Sequence, residues 1–477
     1  MARLFPVADE LGVRFAAAGH QLYLVGGTVR DALLGVASSD LDLTTDASPE
    51  RVLALIDGWA DATWTTGIEY GTVGAAKRGM RLEITTFRTD VYDRVSRNPV
   101  VRYGESLEED LRRRDFTVNA MAVSVPDHTF SDPSGGLADL ASRVLRTPSE
   151  PVESFQDDPL RLLRAVRFVS QLGFDIEPRT AAAMAQNAAT LARIVPERIQ
   201  HELTRLMLGA SPGRALELMV DSGLAQHVLP ELPALRMEID EHRQHKDVYA
   251  HTLQVLQQAI DLEQSRGWEP DLVLRLAALM HDVGKPATRK STPQGKVTFH
   301  HHDVVGAKMT RRRLGALRYS KDVIADVSRL VELHLRFYGY RRGQWTDSAV
   351  RRYVTDAGDL LPRLHLLVRA DCTTRNRRRA AALSGAYDAL EERIARLQEQ
   401  EDLRAVRPDL DGNEIMAILG LTPGPLVGEA WRHLKEQRME KGPMPHDEAV
   451  AELRRWALAR GIEPPPSRGD RAAPPSR

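Results

Sequence analysis

The chain has 477 residues, of which 42% are hydrophobic, 27% charged and 5% aromatic. Its 65 lysines and arginines almost balance 66 aspartates and glutamates, so the formal net charge is −1. This balance excludes a uniformly basic nucleic-acid binder but not local basic faces. The single cysteine, Cys372, excludes an intrachain disulfide and disfavours a thiolate zinc site, which fits a reducing compartment. No segment approaches the roughly 18 uninterrupted apolar residues of a membrane span, and the N-terminus is a poor secretory signal, so we expect a cytoplasmic protein without a membrane partner.

Hydrophobic periodicity divides the chain into a mixed N-terminal part and a helical remainder. Up to about residue 145 the pattern predicts helices over 4–18 and after Ser48, short strands before Gly26 and around Asp40, and two strands joined by a turn at 77–79. A connector containing prolines follows over 146–159. From Leu160 onward almost every segment has the periodicity of a helix.

A glycine pair and an aspartate pair carry the first chemical signal. Gly26 and Gly27 follow a predicted strand and precede a helix, where backbone amides can approach a phosphate closely. Arg30 lies on the first turn of that helix and can reach the same anion. Asp40 and Asp42 alternate with leucines on the next strand, so both carboxylates point to one side. Because like charges repel there, a Mg²⁺ ion with oxygen ligands would stabilise the pair. The alternative is a tight turn followed by two solvated acids.

The sequence GGTVRD followed by Asp-x-Asp is similar to the first strand–helix–strand of bacterial tRNA nucleotidyltransferases and poly(A) polymerases, whose head domain resembles DNA polymerase β. The resemblance implies an α+β protein, in which a small polymerase-β-like head precedes a mainly helical body. It implies that Asp40 and Asp42 are catalytic ligands of Mg²⁺ and that Gly27 and Arg30 bind nucleotide. Glu83, on a later predicted strand, would be a third carboxylate, although one acid on a strand is more often a surface charge.

A second stretch of the resemblance is RRDFTVNAMA, which in the family lies at the nucleotide pocket. By this match Arg114 contacts the nucleotide. Asp115 and Asn119 would hold the shape of the pocket, at positions i and i+4 if the segment is helical. The arginine run alone is explained equally well by solvated charges near a helix N-terminus.

A third stretch is DDPLRLLRAVRF, where Asp158, Arg161, Arg164 and Arg167 recur every third residue and so form one helical stripe. Without the resemblance, an amphipathic helix with an exposed arginine face explains it. In the family the acid and the arginine hydrogen-bond the edge of the incoming base, which implies selection of CTP and ATP by protein groups, with Arg164 and Arg167 facing phosphates or forming the pocket. Asp157 stands where the family motif has glutamate.

The sequence HDVGK, after a very apolar predicted helix, resembles the HD phosphohydrolase domain. The resemblance implies one metal ion held by His251, His281, Asp282 and Asp371, and ligands for a second metal at His302 and His334. Imidazole and carboxylate suit Mn²⁺, Ni²⁺, Fe or Mg²⁺, and a metal-activated water would attack a phosphate ester. Such a domain also occurs as a scaffold.

The resemblance covers about residues 20–460. It implies a CCA-adding tRNA nucleotidyltransferase whose substrates are tRNA, CTP and ATP. The segments would be a head at 1–150, a helical neck with the base-reading motif at 151–235, an HD domain at 236–385, a C-terminal helical tRNA-binding region at 386–460 and a disordered tail at 461–477. The rivals are a poly(A) polymerase, an enzyme adding only CC or only A, and a metal phosphohydrolase whose front domain merely binds nucleotide. The oligomeric state is left open.

Overall fold

The structure is a computed structural model that describes residues 6–36, 40–91, 100–103, 106–236, 247–293, 297–340, 345–373, 376–400 and 407–465. The predicted tail lies outside the described residues from 466 onward. The chain forms two compact units: Met1–Arg236 with Ala316–Tyr319, and Met237–Gly315 with Ser320–Arg477.

The first unit contains a seven-stranded mixed sheet with the strand order β3-β4-β5-β2-β1-β8-β9 and two short strand pairs, β6 with β7 and β10 with β11. The eleven strands are β1 Leu22–Val25, β2 Asp40–Thr45, β3 Ala62–Trp64, β4 Thr72–Lys77, β5 Met80–Thr86, β6 Arg88–Val91, β7 Val100–Tyr103, β8 Ala122–Ser124, β9 Phe130–Ser131, β10 Val144–Leu145 and β11 Asp175–Ile176.

The helices of the first unit are α1 Pro6–Ala17, α2 Gly26–Leu33, α3 Pro49–Ile56, α4 Leu107–Arg112, α5 Gly136–Ser142, α6 Pro151–Asp157, α7 Leu160–Leu172, α8 Pro178–Asn187, α9 Pro196–Met207, α10 Pro212–Asp221 and α11 Ala225–Val228. The predicted cap of α3 is confirmed, because the Ser48 side chain accepts a hydrogen bond from the Arg51 amide. The predicted connector at 146–159 is wrong in part: it contains α6, which begins at Pro151, a residue well suited to the first helical position.

The alternation of aspartate and leucine along β2 determines which face of the sheet carries polar side chains. Leu41 and Leu43 are fully buried on one face, whereas Asp40 and Asp42 project from the other. Strand β2 runs between β1 and β5, antiparallel to β1 and parallel to β5. The predicted turn between β4 and β5 is confirmed, with positive φ at Arg78 and Gly79.

Among its described residues, the second unit is helical apart from one small strand pair, β12 Lys290–Ser291 with β13 Val297–Thr298. Its helices are α12 Val248–Ser265, α13 Leu272–Met280, α14 Lys285–Thr288, α15 His302–Ala316, α16 Lys321–Leu333, α17 Phe337–Tyr340, α18 Asp347–Ala357, α19 Leu361–Ala370, α20 Arg377–Gln400, α21 Gly412–Leu419, α22 Pro425–Lys441 and α23 His446–Ala459. The last three share an apolar cluster that includes Leu410, Leu434 and Leu453. Among the described helices, none combines the length and apolar character needed to cross a bilayer.

Candidate active site

Three carboxylates lie side by side on one face of the sheet in the first unit. Asp42 on β2 is the direct cross-strand partner of Glu83 on β5, and Asp40 is the partner of Arg81. Register partners point to the same face, so Asp40, Asp42 and Glu83 belong to one row. Asp40 and Glu83 are exposed and Asp42 is partly buried. The predicted strand is confirmed, and the structure brings the three predicted carboxylates together.

Electrostatics at Asp42 favour a bound cation. Burial raises the pKa of the Asp42 carboxyl above its usual value. Arg114 and Arg30 lower this pKa and the charges of Glu83 and Asp40 raise it, but the net shift is upward. A divalent cation among these oxygens would offset the mutual repulsion of the three carboxylates, which adds to the effect of burial. The donor set therefore fits Mg²⁺ in its chemistry.

The glycine turn brings the backbone close to this row. Gly26 has φ +66°, and a Cβ atom there would lie 3.1 Å from Nη1 of Arg114 and 3.3 Å from Oδ2 of Asp42. A Cβ on Gly27 would lie 3.5 Å from Nη2 of Arg30 and 3.7 Å from Oδ2 of Asp42. The absence of side chains thus leaves the space between the carboxylate and the two guanidinium groups open, at the N-terminus of α2, where an anion is stabilised.

Thr28 ties α2 to β2, and the sequence reasoning missed it. Its hydroxyl accepts a hydrogen bond from the Asp42 amide at 2.8 Å and donates to the Asp40 carbonyl at 3.4 Å. Its position directly after the glycine pair was the available signal.

Arg114 is held by a buried acid that the sequence reasoning also missed. Asp110 is fully buried within α4 and accepts from Nη2 of Arg113 at 2.9 Å and from Nη2 of Arg114 at 3.1 Å. Burial by itself would raise the pKa of Asp110, but Arg114 and Arg113 bring it below its usual value. The acid therefore stays charged and fixes Arg114 beside Gly26.

A chain of hydrogen bonds links α2 to α7. Arg30 donates to Asn119 Oδ1 at 2.7 Å, Asn119 Nδ2 donates to Asp115 Oδ1 at 2.9 Å, and Arg164 donates to Asp115 Oδ2 at 2.7 Å. Although burial opposes it, Arg164 and Asn119 hold the pKa of Asp115 well below its usual range. Asp115 and Asn119 meet as their spacing suggested, but not on an α-helix, since 117–119 form a 3-10 turn after α4 has ended.

The predicted arginine stripe is only partly one helical face. Asp158 precedes Pro159 in extended backbone between α6 and α7, so it lies outside the helix that carries the arginines. Its Oδ1 accepts from the Leu160 amide at 3.1 Å. Arg161 donates to the Ser154 hydroxyl at 2.7 Å and to the Arg113 carbonyl.

Arg161 and Arg167 are 7% and 2% exposed, so an exposed arginine face, the alternative explanation, is wrong for these two residues. Arg167 pairs with Glu202 at 3.0 Å. Burial, followed by the nearby charge of Arg164, lowers the pKa of Arg167 to about 9. The helical pattern predicts Phe168 as a packing residue but not its contact with the arginines: the guanidinium groups of Arg167, Arg30 and Arg164 lie 4.4, 5.1 and 5.8 Å from its ring centre.

The second unit gathers all six predicted HD-type ligands in two groups: His251, His281 and Asp371, and Asp282, His302 and His334. Within each group the ligand atoms lie within 4.8 Å of one another. Asp282 connects the groups, with Oδ2 at 3.1 Å from Nε2 of His281 and Oδ1 at 3.3 Å from Nε2 of His302. His251 Nε2 lies 3.0 Å from Asp371 Oδ1.

The histidine rings are oriented by backbone carbonyls, as metal ligands commonly are. Nδ1 of His281, His302 and His334 lies 2.6–2.8 Å from the carbonyl oxygen three residues earlier in the chain. Their Nε2 atoms are buried without a well-formed hydrogen bond among the described residues. Burial and then His281 lower the pKa of His334 to about 4, which keeps that ring neutral. Buried, inward-facing nitrogen lone pairs beside two carboxylates fit a divalent metal.

A mixed sheet that carries three carboxylates in register beside a Gly-Gly turn, followed by a helical body, agrees with the architecture that the sequence resemblance implies, a nucleotidyltransferase with a polymerase-type head. Comparison with known families agrees. The model "Poly A polymerase head domain" matches residues 22–146, "Probable RNA and SrmB- binding site of polymerase A" matches 173–235, and "HD domain" matches 248–376.

Individual relatives give the family. The chain is 37% identical over 444 residues to the A-adding tRNA nucleotidyltransferase of Deinococcus radiodurans, a match that covers 91% of this chain and 95% of that enzyme. It is 43% identical over 224 residues to the CCA-adding enzyme of Limosilactobacillus fermentum, covering 47% of this chain and 55% of that enzyme. A crystal structure of the Bacillus stearothermophilus CCA-adding enzyme in complex with CTP has a TM-score of 0.69 at 28% identity and covers 97% of this chain and 99% of that one.

The chain therefore belongs to the tRNA nucleotidyltransferase family and is a metal-dependent nucleotidyltransferase that carries an HD domain. The resemblance expected from the motifs and the α+β fold are both confirmed.

Proposed function

We propose that this enzyme adds C, C and A to the 3′ end of tRNA from CTP and ATP, with release of pyrophosphate and without a nucleic-acid template. The observation that carries the proposal is the row formed by Asp40, Asp42 and Glu83 beside the Gly26-Gly27 turn. The similarity over 97% of the chain to a CCA-adding enzyme that binds CTP supports it. We propose a cytoplasmic location, which fits a tRNA substrate.

In this proposal Asp40 and Asp42 hold Mg²⁺, and Glu83 completes the carboxylate set. The bound ion supplies the charge that activates a 3′-hydroxyl and neutralises a triphosphate. Arg30 and Arg114 position the triphosphate over the open space at the glycines, because both guanidinium groups border it. Positioning and charge stabilisation account for the rate, as is usual for transfer of phosphoryl groups.

The base would be selected beside α7. Asp158 retains a partly exposed carboxylate, and Arg161 is fixed by the Ser154 hydroxyl and the Arg113 carbonyl. Arg164 and Arg167 support this wall through Asp115 and Glu202. A fixed set of donors and acceptors excludes a mismatched base because a buried polar group would lose its partner. Arg161→Ala should therefore weaken discrimination among the four nucleoside triphosphates.

The test is incubation with tRNA lacking its last three nucleotides, with Mg²⁺ and with each nucleoside triphosphate alone and in pairs. We expect two additions with CTP and a third only when ATP is also present. Asp42→Asn should keep the fold and lose transfer by about a thousandfold, because an amide does not supply the anionic ligand. An active Asp42→Asn variant would remove the assignment of this site.

Addition of A alone is the second candidate, favoured by the match over 95% of the length of the Deinococcus A-adding enzyme. Two substrates separate the candidates. An A-adding enzyme extends only tRNA that already ends in CC, whereas a CCA-adding enzyme also extends tRNA that lacks all three nucleotides. A product with a long A tract would instead identify a poly(A) polymerase.

We propose a second activity, hydrolysis of a phosphate ester, for the HD-type site, with a divalent metal held by the two groups of ligands. The limits of the matched family models support assigning residues 1–150 to the head, 151–235 to the neck and 236–385 to the HD domain. Residues 386–460 would then bind tRNA.

A further inference from the structure

The carboxylate row continues across the sheet to an aromatic residue on the edge strand. Asp42 on β2 pairs with Glu83 on β5, Glu83 with Gly74 on β4, and Gly74 with Trp64 on β3. Each register pair shares a face, so Trp64 projects from the same face as the catalytic carboxylates. The opposite face of β4 and β5 is buried beneath α3, through contacts of this helix with both strands.

The indole ring lies across Gly74. A Cβ atom on Gly74 would fall 1.9–2.5 Å from three atoms of the Trp64 ring, so only glycine leaves room for it. The ring therefore extends from the edge strand back over β4, toward Glu83. The neighbouring residue of β4 on this face, Ala76, is also small, which leaves the ring as a flat surface.

Arg81 fixes the ring and adds a positive charge. It lies two residues before Glu83 on β5, and hence on the same face. Its guanidinium carbon is 5.0 Å from the centre of the Trp64 ring, and Nη2 is 3.7 Å from Oε1 of Glu83. The Arg81 side chain is 58% exposed, so a phosphate can reach it. An aromatic face beside a cation is the combination that binds single-stranded nucleic acid.

The chemistry indicates which substrate approaches from this side. The groups assigned to the nucleoside triphosphate, Gly26, Arg30 and Arg114, lie with α2 and β1 on one side of β2. In-line displacement requires the attacking hydroxyl opposite the leaving pyrophosphate. An RNA end that approaches across β5 and β4 would take the opposite side and would meet Glu83, Arg81 and Trp64.

We infer that Trp64 and Arg81 bind the 3′-terminal nucleotides of the RNA acceptor, with a base stacked on the indole and a phosphate on the guanidinium; this rests on the proposed transfer to an RNA 3′ end. Strands lie about 4.8 Å apart, so the β3 backbone is about 14 Å from that of β2, and the indole covers part of this distance, within reach of the last two nucleotides. Stacking tolerates every base, which suits an acceptor whose terminal base changes at each addition.

The test is a double-mutant cycle that combines a change in the protein with a change in the RNA. Wild-type enzyme and Trp64→Ala are compared on truncated tRNA with either of its last two nucleotides intact or abasic. We expect Trp64→Ala to raise KM for tRNA about tenfold, with KM for CTP unchanged, and the abasic penalty of the wild type to disappear in the variant. Trp64→Phe should restore most of the affinity. Phe130→Ala is the matched control, since Phe130 is an exposed aromatic residue on β9, the other edge strand of the sheet.

Arg81→Gln provides a second route if Trp64→Ala does not fold. It should raise KM for tRNA about fivefold. It should also lower the slope of log affinity for tRNA against log salt concentration by about one. The inference is overturned if the abasic penalty is the same in Trp64→Ala as in the wild type, or if Trp64→Ala and Arg81→Gln both match Phe130→Ala. Wild-type enzyme that adds no nucleotide to truncated tRNA would instead overturn the proposed function.

Discussion

At the scale of single residues, the space at Gly26 is the most sterically restricted feature of the proposed nucleotide site. Gly26→Ala should lower nucleotide transfer at least a hundredfold, because a methyl group would meet Arg114 Nη1 and Asp42 Oδ2 at 3.1 and 3.3 Å. Gly19→Ala is the matched control, since Gly19 also has positive φ but has no atom within 4 Å of the added Cβ. Both changes should destabilise the fold by about 1 kcal/mol through the strained φ.

Steady-state transfer and thermal unfolding, measured on both glycine variants, separate the two effects. Equal losses of transfer would mean that backbone strain, rather than the lost space, is responsible, and would remove Gly26 from the site.

Residues whose placement depends on local spacing were identified from the sequence, and residues whose placement depends on tertiary packing were missed. That the glycines lie beside Asp40 and Asp42 could be predicted because a strand, a tight turn and a helix N-terminus are fixed by local spacing, which a short pattern can show. Asp110 was missed, as a buried acid among arginines looks like any surface charge until folding places it beneath Arg114. Phe168 was predicted only as a packing residue, because its contacts with three guanidinium groups depend on how α7 packs, which no short pattern contains.

At the scale of elements, the contact between α2 and β2 determines where Asp42 lies. Thr28→Val removes the hydroxyl that accepts from the Asp42 amide and leaves that amide unsatisfied, while the shape is nearly kept. We expect kcat to fall about tenfold with a small change in KM for CTP, and Thr28→Ser to restore most of the rate. Stopped-flow or steady-state kinetics on both variants measure this. A serine variant as slow as the valine variant would show that packing of the methyl group, not the hydrogen bond, is what matters.

A second prediction concerns the packing of α19 against α20. His365 and then Arg369 lower the pKa of Glu391 to about 2, although partial burial opposes them. A lowered folded-state pKa stabilises the protein above the unfolded pKa of about 4.5, and this stabilisation is lost as the pH falls toward 2. Glu391→Gln should therefore cost about 1 kcal/mol at pH 6, allowing for screening at a half-exposed group, and progressively less as the pH falls through about 2.

Denaturant unfolding at several pH values measures this difference, with Glu392→Gln, an exposed neighbour on the same helix, as control. A cost for Glu391→Gln that does not change with pH would contradict the ion-pair explanation.

The boundaries of helices and strands were predicted less well than the type of each element. The strands around the site were predicted because alternation of leucine and aspartate fixes both their type and their facing. The base-reading segment was predicted as one continuous stripe, but Pro159 separates Asp158 from α7, because the residue before a proline is driven into extended backbone. Because of that break, Asp158 does not lie on the helical face that carries the arginines. Helical periodicity alone did not predict this.

At the scale of the whole molecule, the two candidate sites lie in different compact units and share no residue. Their functions should therefore separate. His281→Ala should remove most of the bound divalent metal of the HD-type site, because it opens one of the two ligand groups and leaves Asp282 without a neighbour at 3.1 Å. It should abolish hydrolysis of a phosphate diester such as bis-p-nitrophenyl phosphate and leave nucleotide transfer within about twofold of the wild type.

Asp42→Asn should abolish nucleotide transfer and leave metal binding and phosphodiester hydrolysis at the HD-type site unchanged. The double variant should show the two losses independently, since effects at sites without shared partners are additive. Elemental analysis of bound metal gives a readout that needs no activity. If His281→Ala loses its metal but the wild type hydrolyses no phosphate ester, the HD-type site is a metal-bound scaffold and the second activity is wrong. If His281→Ala also stops nucleotide transfer while remaining folded, the two units are coupled, and the assignment of one function to each has to be abandoned.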